Sequence, residues 1–588
     1  MQTTKTNYGA LSTLTTVFFF WGFIAAGNSI FIPFCKHYFG LDQFQSQLID
    51  FAFYGAYYLG ALGLFVFSTL TKKDLVSTWG YKKSIVNGLL FSALGAAMMI
   101  VSVYLNVFAA MLFGLFIVAL GFSLQQTAAN PFMIALGDEK TGSNRINLGG
   151  GINSFGTTIG PVVVSLALFG SSAAISDEMI SKLSLSKVII LYACVGCLFL
   201  GVAALFGFSK KLPQGKMDSE IGQNEKAKKT MLTMLVVTGL LAACFAPVFN
   251  SYRSEEAKQL TELKADLDQL TIGEDNNPLE NLTAEQEATK VSIQKEIHTI
   301  QTPLEQKRMF WLSGGILSVL GGILFANRSA KKNENGWGAM KYPQLSLGML
   351  AVFVYVGVEV AIGSNLGELL KRKEFGAFSS SEVTPFIAMY WGSLMIGRWS
   401  GSINAFDLKS QTKSILKFIV PLVAFGIILG ICSISGYRVD MLYWYVACVL
   451  VQILAFYIAN DRPAFSLALF GVLGLICVII GLTTSGTVAI YSFLSAGLFL
   501  SIMWPCIFSL SLAGLGKHQA QGSGFLVMMI LGGGLIPPIQ GKLSDIIGIQ
   551  PSFIVGAICF TYITFFAIFV NKLLKKQGVS LDSDAVSH

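Results

Sequence analysis

The residues best suited to chemistry are polar groups stranded in apolar surroundings. The octet Gln125-Gln-Thr-Ala-Ala-Asn-Pro-Phe132 lies inside an apolar run from Met111 to Leu136. Hydrocarbon cannot solvate adjacent amides, and an unpaired polar group there costs several kcal/mol. Polar side chains at membrane depth face a bundle interior or a wet cavity, and they mark a functional site. The chemistry they offer is non-covalent, because an amide both donates to and accepts from a hydroxyl. A neutral polyol such as a sugar needs such groups, plus aromatic faces against its C–H surface. The candidates are Asn28, Gln125, Gln126, Asn130, Asn153, Glu359 and Asn365. Tyr355, Tyr390 and Trp391 join them as binding candidates, and Trp21, Phe53, Tyr54, Tyr57 and Trp504 lie near in sequence. The competing account of the amides is interhelical hydrogen bonding, worth roughly 1 kcal/mol per bond.

Ionisable groups at membrane depth are few. Glu359 lies mid-span in Val356-Gly-Val-Glu-Val-Ala-Ile-Gly-Ser364, and Asp50 opens an earlier span. A carboxylate in hydrocarbon is a candidate proton carrier, since desolvation disfavours its charged form. Glu359 is the first candidate for ion coupling and Asp50 the second. Asp50 reads equally as a solvated helix start, and Arg398 as an anchor near one end of its span.

Other chemistry is poorly supported. There is no Walker-type nucleotide loop. The histidines, at 37, 298, 518 and 588, are scattered without metal-ligand spacing. The nine cysteines mostly lie within apolar runs, and Cys194-Val-Gly-Cys197 reads as small packing residues. Neither a cofactor nor a metal is expected, and the chain reads as something other than an enzyme.

The elements that must position these residues are membrane spans. Of the 588 residues, 53% are hydrophobic and 13% charged, where a soluble chain carries about 25% charge. Apolar stretches of bilayer length recur about sixteen times, which makes this an all-α polytopic membrane protein. No cleavable signal peptide is expected, because the first apolar run, 11–34, is long enough to span.

The formal charge of +8 hides an asymmetry. Residues 251–308 hold twelve acidic and seven basic side chains, leaving an excess of positives in short loops elsewhere. Lysines and arginines after the second, sixth, eighth and last spans place both termini in the cytoplasm, with Lys371, Arg372 and Lys373 dissenting. This distribution suits a lipid bilayer, with no nucleic acid as partner. The acidic segment then lies outside. Leu260, Leu263, Leu267 and Leu270 keep a 3-4-3 spacing, and Thr283-Ala-Glu-Gln286 fits a capping box. An antiparallel helical hairpin is expected over 251–308, broken at Gly273–Pro278, as a docking place for an extracellular partner.

The chain repeats imperfectly. Gly55 and Gly60 match Gly392 and Gly397. The octet precedes Gly149–Gly151 and Pro161 much as Trp504-Pro505 precedes Gly532–Gly534 and Pro537. Two similar halves point to a secondary transporter. The expected division is 1–211 as one six-helix half, 212–342 as an inserted pair carrying the hairpin, and 343–588 as the second half, with a further pair inserted near 414–462. The glycines read either as static close packing or as a sliding contact between halves.

At the level of motifs, Gln126-Thr-Ala-Ala-Asn-Pro-Phe132, Asn147-Leu148, Asn153-Ser-Phe-Gly156 and Phe20-Trp-Gly22 with Ile32-Pro33 resemble the fucose–galactose–glucose:proton symporter branch of the major facilitator superfamily. Ala52-Phe53, Tyr390-Trp-Gly392, Gly397-Arg398, Phe508-Ser-Leu510, Gly514-Leu-Gly-Lys517, Gly522-Ser523 and Gly532–Gly534 extend the likeness. The resemblance spans both halves but not Leu212–Tyr342 or roughly Ser414–Arg462. It implies the major facilitator fold and import of a monosaccharide, coupled to an ion gradient, by rocking of two six-helix halves in a bacterial inner membrane. Fucose-type members carry an aspartate where Ser29 follows Asn28, and a glutamate at the place of Gln126, while glucose and galactose members have the glutamine. Gly150 replaces a glutamine. The coupling ion therefore stays open between proton and sodium, as does facilitated diffusion without an ion. A drug or lipid exporter of the same superfamily and a non-transporting sensor are the rival readings.

Overall fold

The computed structural model describes residues 5–39, 43–169, 185–215, 227–271 and 283–579. The Gly273–Pro278 break lies outside the described residues. So do the side chains of Asn28 and Asp50, although both residues stand on helices. Every regular element among the described residues is helical. Leaving aside single turns, the helices are α1 (Tyr8–Tyr38), α2 (Gln43–Thr71), α3 (Tyr81–Leu105), α4 (Phe108–Ala135), α5 (Gly142–Phe169), α6 (Leu185–Phe208), α7 (Lys228–Ser251), α8 (Glu255–Thr271) and α9 (Ala284–Lys332). They continue as α10 (Pro343–Leu370), α11 (Ser380–Ser402), α12 (Ser410–Ile434), α13 (Val446–Ala459), α14 (Pro463–Thr483), α15 (Gly486–Leu500), α16 (Met503–Leu512), α17 (Gln519–Met528), α18 (Gly532–Ile547) and α19 (Ile554–Lys576).

Thirteen helical stretches among the described residues are long and apolar enough to cross a membrane. The chain is a multi-pass membrane protein. The three other expected spans are α1, α5 and α11. α11 carries Glu382, Arg398 and several hydroxyls and is too polar to qualify, while α1 and α5 each run partly outside the description of side chains.

Two bundles form the core. In the first, α3 packs between α4 and α6, and α1 packs along α5. In the second, α14 packs against α15 and α19, and α10 lies between α18 and α19. The spans are interrupted in the second bundle: a turn at Ser501-Ile502 separates α15 from α16, and Met529–Leu531 separates α17 from α18. α12 and α13 pack outside α11 and α15, with Ile415, Phe418, Val423, Leu450 and Leu454 exposed as a lipid-facing surface would be.

Both ends of the described chain meet the same end of the bundles, the terminal end below. The Asp407 backbone N–H donates to the Tyr8 hydroxyl at 2.6 Å, and Gln344 bonds Gln577 at 3.2 Å. At the other end, α9 is about 74 Å long at 1.5 Å per residue, far beyond a hydrocarbon core of about 30 Å. Its first turns and α8 pack together outside the apolar zone. The Thr283 capping box is formed: the Gln286 N–H donates to the Thr283 hydroxyl at 3.2 Å, and the Thr283 N–H to the Gln286 side chain at 2.9 Å. This second end is the hairpin end.

Candidate substrate site

A cavity of about 270 Å³ lies between the two bundles, at the level of the octet. From the first bundle it is lined by Phe18 and Trp21 of α1, Phe53, Tyr54 and Tyr57 of α2, Gln126 and Asn130 of α4, and Gly150 and Asn153 of α5. From the second come Tyr355 and Glu359 of α10, Trp391 and Arg398 of α11, and Trp504 of α16.

The first wall is neutral. The Gln126 amide donates to the Tyr57 hydroxyl at 3.2 Å, the Asn130 amide to the Gln126 carbonyl at 3.1 Å, and the Asn153 amide to the Phe18 carbonyl at 3.0 Å. Each amide spends a donor on its own bundle, which fixes the side chain while its carbonyl oxygen remains to accept from a guest hydroxyl. Asn153 is held where α5 presses on α1: a Cβ at Gly22 would overlap the Asn153 backbone, so only glycine fits there.

The second wall is charged. The Arg398 guanidinium reaches Glu359 at 3.2 Å and the Tyr355 hydroxyl at 3.1 Å, and its Nε donates to the Ser501 carbonyl at 3.2 Å. Its Nη1 donates across the seam to the Ser154 hydroxyl at 2.7 Å. The turn at Ser501 thus supplies a backbone acceptor that an unbroken helix would have used internally. Trp391 and Trp504 add aromatic faces beside the pair.

The terminal-end floor is closed by bonds between bundles. The Trp399 indole donates to the Gly151 carbonyl at 3.0 Å, the Asn144 amide to the Gly401 carbonyl at 2.8 Å, and the Ser523 hydroxyl to the Thr127 carbonyl at 2.8 Å. The glycines permit this closeness. A Cβ on Gly151 would come within 2.6 Å of the Trp399 ring, and one on Gly150 within 3.2 Å of Arg398.

Of the candidates from sequence, Gln126, Asn130, Asn153, Tyr355, Trp391 and Glu359 meet in this cavity. Three others stand outside its wall. Gln125 is fully buried behind it, accepting from the Trp21 indole at 2.8 Å and donating to Ser92 at 3.1 Å. One helical step, about 100°, separates it from Gln126. Tyr390 is buried with its hydroxyl on the Glu359 carbonyl at 2.8 Å, and the Asn365 amide bonds Ala361 one turn back. Asn28 and Asp50 lie outside the description of side chains. The anchor reading of Arg398 is corrected: its side chain turns back from the terminal end into the cavity and meets Glu359. Ser154 was not singled out from sequence either. A signal for Arg398 was present, because a lone arginine and a lone carboxylate in neighbouring spans each need a partner at that depth.

No group of three or more metal-ligating side chains occurs among the described residues. No family model matches the chain. It is 29% identical over 567 residues to the glucose/galactose transporter of Brucella abortus biovar 1, covering 96% of this chain and 95% of that one. It is 26% identical to the putative glucose/galactose transporter of Helicobacter pylori, covering 97% and 98%. It is 24% identical to the L-fucose-proton symporter of Escherichia coli, covering 95% and 92%. The crystal structure of the major facilitator superfamily transporter FucP in the outward conformation shares the fold, with a TM-score of 0.58 and 21% identity over 95% of this chain and 98% of that one. The chain is thus similar along nearly its full length to these sugar transporters, and it shares the major facilitator fold.

Proposed function

We propose that the chain imports a monosaccharide across a bacterial inner membrane by alternating access, coupled to a proton moving down its gradient. One observation carries this reading: a single cavity sets neutral amides on one bundle opposite a buried Glu359–Arg398 pair and two tryptophans on the other. Gln126, Asn130 and Asn153 bind sugar hydroxyls, and Trp391 and Trp504 pack on the sugar C–H face. Glu359 carries the proton. When it is neutral, Arg398 loses its charge partner but keeps Tyr355, Ser501 and Ser154, so protonation and the seam share one guanidinium. The wall is too rich in amides for a drug or lipid exporter. The names of the curated relatives make glucose, galactose and fucose the first sugars to test.

The helices group as two six-helix halves, 1–211 and 343–588, with α7–α9 inserted between them in 212–342 and α12–α13 inserted near 414–462. Both termini are cytoplasmic, so the closed floor faces the cytoplasm and the hairpin faces outward. Uncoupled diffusion is favoured by one feature, the counter-ion that Glu359 already has in Arg398. Sodium remains the other ion to exclude. Uptake into proteoliposomes, over a panel of monosaccharides and under separately imposed proton and sodium gradients, tests all of this. Stimulation of hexose uptake by the proton gradient supports the proposal; stimulation by sodium alone overturns the coupling, and no uptake of any sugar overturns the substrate class.

A further inference from the structure

The helix pair α7 and α9 touches both bundles, and by opposite chemistries. Towards α18 of the second bundle the contact is charged and buried. Glu305 of α9 lies 3.0 Å from Lys542 of α18 and 2.7 Å from Arg308, with side chains only 4%, 15% and 5% exposed. Arg308 in turn donates to the Ser251 hydroxyl at 2.8 Å and its carbonyl at 3.1 Å, and stacks 3.8 Å over the Tyr252 ring. Lys542 also reaches Asp545 at 3.5 Å. Lower down, the Asn327 amide of α9 donates to the Ser346 hydroxyl of α10 at 3.0 Å.

Towards α2 of the first bundle the contact is smooth. Phe51 packs against Phe245 and Phe249 of α7 with ring centroids 5.4 and 5.2 Å apart, and Tyr58 and Thr238 share a single hydrogen bond of 2.8 Å. Where α2, the pair and the second bundle meet, a small apolar cavity is lined by Met234, Met340, Met349, Met528 and Met529. Methionine is unbranched and adapts its shape to a moving neighbour. Buried ion pairs hold one geometry and are strongly penalised when a partner is withdrawn. Ring contacts tolerate several offsets.

We propose that α7 and α9 form a strap fixed to the second half, over which α2 of the first half slides as the transporter switches state. The strap travels with α10 and α18, and the Phe51 face is its bearing. This rests on the alternating-access reading above, though not on which sugar or ion is moved.

The test uses full-length protein in vesicles, in a cysteine-free background, with short bismaleimide bridges. One variant, Asn327→Cys with Ser346→Cys, ties the strap to the second half and leaves every charged group in place. The other, Phe51→Cys with Phe249→Cys, ties it to the first half. State is read by labelling a cavity cysteine, Gln126→Cys, with an impermeant maleimide from either face. The strap predicts that the first bridge leaves labelling from both faces unchanged, while the second confines labelling to one face, with at least a tenfold loss from the other. Equal confinement by both bridges, or confinement by the first alone, overturns the proposal, as does free labelling with both bridges formed. An unbridged protein labelled from one face only overturns the alternating-access reading itself, whatever the bridges do. If the phenylalanine variant does not fold, Tyr58→Cys with Thr238→Cys makes the same tie through the hydrogen-bonded pair.

Discussion

The two walls of the central cavity solve different problems. The wall from α1, α2, α4 and α5 carries amides, each anchored to its own bundle by one modest hydrogen bond. The wall from α10, α11 and α16 carries one arginine that ties together Glu359, Tyr355, the Ser501 turn and, across the seam, Ser154. The first wall can lose a member and remain intact. The second cannot, because its charges are desolvated and hold each other. On the function proposed above, recognition of a guest falls to the first wall and energy coupling to the second.

Removing Arg398 should therefore have the largest effect. Arg398→Ala leaves Glu359 buried without its counter-ion, and breaking such a pair from one side costs about 3–5 kcal/mol. Sugar flux, normalised to inserted protein, should fall by two orders of magnitude or more, since each 1.4 kcal/mol is roughly tenfold. Near-normal flux would erase the distinction between the walls. On the amide side, Gln126→Ala and Asn153→Ala should each weaken sugar affinity about fivefold, the scale of one lost hydrogen bond of ~1 kcal/mol. Equilibrium binding by calorimetry measures this, and insertion into the membrane should be unchanged. The smallest effect on affinity should come from Gln125→Ala. It strips the Trp21 indole of its acceptor, so thermal unfolding should report a loss of about 1–3 kcal/mol, with affinity moved less than in Gln126→Ala. The opposite order would place Gln125 on the sugar.

Much of the fold was legible because apolar runs of bilayer length must become helices, whose backbone groups are all paired internally. The octet was legible as a site for the same reason: amides have no place in lipid. What sequence left undecided was facing. Gln125 and Gln126 are chemically identical, and only the rotation of α4 against α1 and α3 sends one to Trp21 and Ser92 and the other to the cavity. Arg398 was misread because its backbone does lie toward the terminal end. Counting 1.5 Å per residue from the α10–α11 turn, it sits about 10 Å deeper than Glu359, and the long arginine side chain spans most of that offset. Ser154 carries no signal of its own, since a serine on a membrane helix usually bonds a carbonyl one turn back. Its role appears only when α5 and α11 meet at the glycines.

The most direct test of the account compares the intact chain with Glu359→Gln in proteoliposomes under an imposed proton gradient. A glutamine keeps the shape of Glu359 and most of its hydrogen bonds but has no proton to carry. The account predicts that the intact chain accumulates galactose or glucose above equilibrium, whereas the variant only equilibrates it, with exchange preserved. Equal accumulation by both would contradict Glu359 as the coupling group.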